Sequence, residues 1–445
     1  MKSTLFQIAI LAVAMTTIVG CKSNDNMAMD EQKFQTWVND NPDCRDGNCY
    51  MISGRVADAK YNGHKIYLYT YKWDYTSSGN LYMGSHLVES AVVKNQAFVF
   101  KGNAVSPQLA ALHTEEVGKY EESLYINMIL EPGQAKVLIT HDDTTDFVGG
   151  TPSNDMLQAF LKKKYAAAHE ATAAYKATLD RVHYLNEQLT RGKIKMEDLD
   201  TNEVERLNNE MNQFAEDKNM KIAPLLWNLY NDNKQSVMSY YALTELYGML
   251  DEFSEKAFVD SLMLTAQGEG KNLLEMISTS FELVEKYEAE VRKMQEATSE
   301  GKKYTDVRGI MKTMDGNKWI EKDGSLKDLI DGRVAVVDFW ASWCGPCRQE
   351  IKENLLGLHE KYKGQGVVVV GLDISDDIKA HAKAVKQLGI TYPQLIDTTN
   401  FAGETYGIEG IPTIFVIAPD GTILGRDLRG EDIEKAVVKA LKKEE

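Results

Sequence analysis

The stretch that most constrains the fold is Val334-Ala335-Val336-Val337-Asp338-Phe339, an apolar run broken by one acid, followed at once by Trp340-Ala341-Ser342-Trp343-Cys344-Gly345-Pro346-Cys347. Such a run, without polar alternation, suits a strand covered on both faces. Past the turn, Ile351, Leu355, Leu358 and Tyr362 recur at helical spacing, so a helix begins around Cys344. Two cysteines thus sit where a buried strand hands over to a helix. The helix end presents unpaired N–H groups and a partial positive charge, which favour the thiolate of Cys344 over its thiol. Cys347, one turn further in, is placed to attack a mixed disulfide formed at Cys344. Pro346 costs little there, because its missing N–H would have no helical partner anyway. Zinc is the competing use of a Cys-x-x-Cys pair, but no second cysteine or histidine pair in this part of the chain completes four ligands. Neither a metal nor a cofactor is expected. A structural disulfide or a pair of inert core cysteines is the bland alternative.

Around this core the pattern from residue 301 to 445 alternates strand and helix. Gln365 to Val370 reads as a second buried strand, Ile378 to Leu388 as a helix, and Ile411 to Ile417 as a strand that begins with proline. Asp420-Gly421 turns the chain into Thr422-Ile423-Leu424, and Glu431 to Lys442 closes as a helix.

The motif from Val337 to Arg348 resembles the active-site signature of thioredoxins, and Gly410-Ile411-Pro412-Thr413 is similar to their cis-proline loop. The run Val367 to Asp373 with Ser375-Asp376-Asp377 resembles the central insertion of the membrane-anchored, TlpA/ResA-type branch. The resemblance implies an α/β thioredoxin-like fold with thiol-disulfide oxidoreductase activity. It also implies a cis Pro412 beside the cysteines, and Asp338 as the buried proton acceptor for Cys347. Trp343, Gly345, Pro346 and Ile411 would line the substrate side. A lone acid in a buried strand should have a raised pKa, although Asp338 could instead cap or pair with a neighbour. Three positions depart from the family pattern. Lys352 stands where a helix-kinking proline is usual, Gly371 where a lysine accompanies the acid, and Lys303-Tyr304-Thr305-Asp306 where Ala-Pro-Asp-Phe opens the domain.

The 445 residues exceed one ordinary core, so several domains are expected. A formal charge of −16 argues against phosphate-backbone binding, and nucleic acid is not an expected partner. Lys2, the short apolar run Leu5 to Val19, and Gly20 read as an export signal over residues 1–20. Ile18-Val19-Gly20-Cys21 resembles a bacterial lipobox. Cys21 would then carry lipid, residues 21–49 would form a tether, and the protein would face the periplasm from a Gram-negative cell envelope. The remaining cysteines pair as Cys344 with Cys347 and Cys44 with Cys49. The latter reads as a small structural disulfide or a second redox centre.

Residues 50–150 are β-rich and read as an all-β, antiparallel sandwich or barrel, with a hairpin at Ala91-Val92-Val93, Lys94-Asn95-Gln96 and Ala97 to Phe100. Pieces such as Ile52-Ser53-Gly54-Arg55-Val56 give this stretch a resemblance to an immunoglobulin-like domain of unknown function that precedes thioredoxin domains. Tyr67, Tyr69, Tyr71 and Trp73 alternate along one strand, as packing or as a stacking platform for a sugar or peptide. Residues 151–300 read as an intervening helical region with a loop at Asp198 to Glu205. A stripe of Ile277, Phe281, Val284, Tyr287, Val291 and Met294 serves there for packing or dimer formation.

The chain is therefore expected to be a multidomain, lipid-anchored thiol-disulfide oxidoreductase. Its partners would be protein thiols and disulfides and a dithiol electron donor. Gly345-Pro346 resembles reducing thioredoxins, so reduction is the expected direction. An oxidase or isomerase, or a glycan- or peptide-binding lipoprotein on a scaffold fold, are the alternatives.

Overall fold

The computed structural model describes residues 31–442 apart from 41–43, 45–46, 116–122, 141, 196–197, 317 and 375–377. The signal, Cys21 and the Ser375-Asp376-Asp377 segment lie outside the described residues. The chain divides into two compact units, 1–283 and 284–445.

In the first unit, helix α1 (Glu31–Asp40) precedes eight strands: β1 (Cys49–Val56), β2 (Lys65–Tyr75), β3 (Leu81–Val92), β4 (Ala97–Asn103), β5 (Gln108–Thr114), β6 (Tyr125–Leu130), β7 (Gly133–Ile139) and β8 (Phe147–Gly149). They form two four-stranded sheets, β4-β1-β7-β8 and β3-β2-β5-β6. Two expectations are corrected here. The sheets are not wholly antiparallel, because β1 runs parallel to β7. The expected hairpin exists only at its turn, where Asn95 and Gln96 have positive φ and Lys94 and Ala97 exchange backbone hydrogen bonds. Beyond that turn β3 pairs with β2 and β4 with β1, so the two arms enter different sheets.

Helices α2 (Pro152–Ala174), α3 (Lys176–Thr190), α4 (Thr201–Asp232), α5 (Val237–Tyr247), α6 (Lys256–Met263) and α7 (Gly268–Ala297) follow. One apolar cluster joins Ile52, Leu68, Leu112 and Val137 of the sheets to Leu226, Leu243 and Leu274 of the helices. Strands and helices of this unit thus bury their apolar faces against each other. The segment expected to loop at Asp198 to Glu205 is already helical from Thr201, because the Asp200 carboxylate accepts from the N–H groups of Asn202 and Glu203. Of the tyrosine stripe, Tyr67, Tyr69 and Tyr71 are half-buried. Tyr71 is hydrogen-bonded to His113 at 2.8 Å. Trp73 is buried and donates its indole N–H to Thr244. The α7 stripe spans the boundary, with Ile277 and Phe281 in the first unit's core and Val291 buried in the second unit.

The second unit carries β9 (Arg308–Asp315), β10 (Lys318–Ser325), α8 (Leu326–Ile330), β11 (Val334–Trp340), α9 (Gly345–Glu350), α10 (Leu356–Tyr362), β12 (Val367–Asp373), α11 (Ile378–Leu388), β13 (Gln394–Ile396), α12 (Phe401–Tyr406), β14 (Thr413–Ile417), β15 (Ile423–Gly425) and α13 (Glu431–Leu441). Its sheet is ordered β10-β9-β13-β12-β11-β14-β15, with β11, β12 and β13 parallel. The apolar run of β11 is buried along its whole length. Val334, Val336 and Trp340 face one core. Ala335, Val337 and Phe339 face the other. Coverage of both faces is what the unalternating sequence demanded.

Candidate functional site: a dithiol pair at a helix start

At the end of β11 the chain turns through Ala341-Ser342-Trp343, and Cys344 becomes the N-cap of α9. Cys344 and Cys347 are disulfide-bonded to each other. Cys344 Sγ lies 3.1 Å from the Cys347 backbone N–H, one of the orphan donors of the helix start. Should the bond be reduced, that donor and the helix end favour negative charge on this sulfur. Both cysteines are buried, Cys347 at 0% and Cys344 at 4% exposure, while Gly345 and Pro346 lie on the surface and Trp343 is 65% exposed. Arg348 fastens the turn by donating to the Ser342 carbonyl at 3.1 Å.

The Ile411–Pro412 bond is cis. The Ile411 carbonyl oxygen lies 3.6 Å from Cys344 Sγ. Trp343, Ile411, Gly410, Glu409 and the Thr398-Thr399 segment line an open groove of about 500 Å³ on this side. The structure thus gathers Trp343, Cys344, Gly345, Pro346, Cys347, Ile411 and Pro412 around one surface. Cys44 and Cys49 are disulfide-bonded and buried at the start of β1, in the other unit.

Asp338, in β11, is fully buried, and neither carboxyl oxygen has a hydrogen-bond partner among the described residues. Burial pushes its pKa up to about 8, the nearby charge of Glu350 pushes in the same direction, and Arg429 opposes both. The alternative in which Asp338 caps or pairs with a neighbour finds no bond here. On β12 its register partner is Gly371, whose next partner across the sheet is Gln394. Where the family pattern has lysine, the Gln394 amide fills the space: its Oε1 would stand 2.3 Å from a Cβ on residue 371. The same oxygen accepts from the Trp340 indole N–H at 3.2 Å. Gly371→Ala therefore evicts a buried, hydrogen-bonded amide. We expect a loss of about 1–3 kcal/mol of stability, with an altered Trp340 fluorescence environment. Unchanged unfolding would contradict this packing.

Several neighbours of the site carry no local signal in the sequence. The helix that follows the cysteines is interrupted at Ile351–Leu355 by a π-turn, with the Leu356 N–H donating to the Ile351 carbonyl. Lys352 lies within it, so a π-turn stands where the family pattern has proline. The Tyr392 hydroxyl is buried without a hydrogen-bond partner among the described residues, and burial together with the Asp338 charge raises its pKa. His381 and Asp373, both fully buried, pair at 2.6 Å beside Trp340.

Comparison with known proteins adds to this geometry. Residues 309–425 match the AhpC/TSA family. Residues 50–157 match a domain of unknown function, DUF4369. A thiol-disulfide oxidoreductase ResA of Bacillus thuringiensis subsp. konkukian is 34% identical over 118 residues, which cover 26% of this chain and 66% of that protein. The thiol:disulfide interchange protein HelX of Rhodobacter capsulatus is 36% identical over 115 residues, 26% of this chain and 62% of the relative. The chain thus spans just under two thirds of the length of these relatives. The thioredoxin domain of a thiol-disulfide oxidoreductase from Bacteroides vulgatus is 28% identical, covers 32% of this chain and 96% of that domain, and gives a TM-score of 0.28. Residues 309–425 therefore belong to the AhpC/TSA family as a thioredoxin-like domain of the TlpA/ResA type.

Proposed function

We propose that this chain is a thiol-disulfide oxidoreductase of the cell envelope that reduces protein disulfides through Cys344 and Cys347. The observation that carries the reading is the Cys344–Cys347 disulfide at a helix N-terminus, beside the Ile411–Pro412 loop and an open groove. In the reduced enzyme, the Cys344 thiolate attacks one sulfur of a substrate disulfide. A Cys344–substrate mixed disulfide forms and the first substrate thiolate leaves. Cys347 then gives its proton to the Asp338 carboxylate and attacks the Cys344 sulfur. The mixed disulfide breaks, the second substrate thiolate departs and takes up a proton, and the Cys344–Cys347 disulfide closes. Two electrons have passed to the substrate, and a dithiol donor returns them. Trp343, Gly345, Pro346 and Ile411 contact the substrate, and Pro412 holds the wall beside Cys344. Cys21, acylated at the end of a signal peptide, anchors the chain to the membrane, with a periplasmic orientation.

Direction is set by the potential. Equilibration of Cys344–Cys347 with a glutathione redox buffer is expected to give a value near that of reducing thioredoxins, about −270 mV, and a value above about −150 mV would make the chain an oxidase. A second reading has its own observation: Tyr67, Tyr69 and Tyr71 line a groove of about 610 Å³ with His113 and Glu115. There the first unit would bind a sugar or peptide, and Cys344→Ser would keep full biological activity.

A further inference from the structure

The groove beside Cys344 carries charge of one sign. Its lining is apolar at Trp343, Ile408 and Ile411 and acidic at Asp397 and Glu409, and it holds no lysine, arginine or histidine. The two acids differ in what they leave free. Asp397 is buried and engaged with its own loop. One of its oxygens accepts from the Thr399 N–H and hydroxyl at 2.9 and 2.7 Å, and the other from the Ala402 N–H at 2.6 Å. Glu409 is exposed. Among the described residues its carboxylate forms no ion pair, and it accepts a hydrogen bond from Gln295 Nε2 at 2.9 Å, a neutral donor that leaves the charge uncompensated.

The segment that presents Glu409 is held from two sides. Gln295, near the end of α7, also donates to the Gly407 carbonyl oxygen at 3.1 Å. Arg426 donates to that oxygen at 3.1 Å and to the Tyr406 carbonyl at 2.8 Å, and its charge is paired with Asp427 at 3.4 Å. Gly407 has φ 59°, and a Cβ there would stand 2.9 Å from the Val291 carbonyl oxygen, so only glycine allows this approach. The Glu409 carboxylate therefore has a set place before a substrate arrives. Two residues on, the Ile411 carbonyl oxygen lies 3.6 Å from Cys344 Sγ. The alpha carbons of Glu409 and Ile411 are at most about 7 Å apart. A long side chain next to an attacked cysteine thus comes within reach of Glu409.

We propose that Glu409 determines specificity in this groove, and that the preferred substrates are peptide or protein disulfides whose attacked cysteine is flanked by lysine or arginine. The inference rests on the oxidoreductase reading above and names its substrate class. A preorganised carboxylate attracts an ammonium or guanidinium and repels a second carboxylate, so the same residue selects for one flank and against the other. An exposed pair of this kind is worth a few-fold in rate rather than orders of magnitude.

The test is a single turnover of the reduced full-length chain with three disulfide-bonded peptides that differ only in the residues flanking one cysteine, which are lysine, glutamine or glutamate. Released dithiol is counted by mass spectrometry after acid quenching. Each rate is divided by that of dithiothreitol on the same peptide, which removes the effect of the flanking charge on the disulfide itself. The lysine peptide is expected to react about fivefold faster than the glutamine peptide, and the glutamate peptide about threefold slower. Glu409→Gln is expected to bring both ratios to within about twofold of one, and Glu409→Lys to invert their order. Salt at about 1 M is expected to erase the preference in the wild-type chain. These ratios, unlike the absolute rates, do not change when a loop merely loosens and slows every peptide alike. Equal normalised rates in the wild-type chain, or ratios unchanged in Glu409→Gln, overturn the inference and leave the oxidoreductase reading standing. If instead no peptide is reduced, or Cys344→Ser reduces them as fast, the oxidoreductase reading itself fails and this inference falls with it.

Discussion

Replacing Cys344 with serine is expected to reduce disulfide exchange by at least about a thousandfold, to the uncatalysed background, while the chain remains folded. Only a thiolate attacks a disulfide at a useful rate, and the helix end that would stabilise it acts on this one sulfur. Cys347→Ser has a different consequence. Cys344 still attacks, but a serine hydroxyl does not displace the substrate, so a covalent Cys344–substrate adduct accumulates and is visible in an intact-mass spectrum. The asymmetry follows from position, since Cys344 caps the helix beside the Ile411 carbonyl and Cys347 lies inside the first turn, fully buried. Equal trapping by both variants would contradict the assignment of the two roles.

The second large effect concerns Asp338, and its sign runs opposite to intuition for a charged residue. An aspartate in the unfolded chain titrates near pH 3.9. In the fold its pKa is pushed up to about 8, mainly by burial. The folded state therefore binds the proton more tightly. Stability is full below about pH 4, declines as pH rises through the window between the two values, and levels off above about pH 8. At pH 7 about three units of that window have been crossed, which amounts to a penalty of about 4 kcal/mol at most. Asp338→Asn removes the penalty, and we expect it to stabilise the second unit by about 2–4 kcal/mol at pH 7 and by almost nothing at pH 4. The slowest-exchanging amides of β11 report this by hydrogen exchange. Displacement by Cys347 should slow about tenfold or more in the same variant and lose its rise between pH 6 and 8. A variant that is destabilised at pH 7, or equally stabilised at both pH values, would show that Asp338 is not held neutral by burial.

How much of this was legible from the amino acids depends on the distance over which each feature is specified. The β11 run, the cysteines at the start of α9 and the apolar face of Ile351, Leu355 and Leu358 are local patterns, and the structure has them where the pattern places them. The proline of the Ile411–Pro412 loop is equally visible, although its isomer entered through family resemblance alone. The environment of Asp338 is another matter. Glu350, Tyr392 and Arg429 come from three different segments, and no periodicity near residue 338 points to them. That Gly371 stands where the family pattern has lysine is visible in the sequence, but that Gln394 occupies the space follows only from the register of β12 on β13. The parting of β3 and β4 is invisible for the same reason. The Asn95-Gln96 turn is written in local residues, whereas the sheet that each strand joins is decided by partners elsewhere in the chain.

The most direct test of the central claim is to mix the reduced full-length chain with an equal amount of a disulfide-bonded peptide and map every disulfide by mass spectrometry. The account predicts one Cys344–Cys347 disulfide formed for each peptide dithiol released, and none in Cys344→Ser. A peptide that stays oxidised while Cys344 and Cys347 stay reduced, or a release that Cys344→Ser matches, would contradict it.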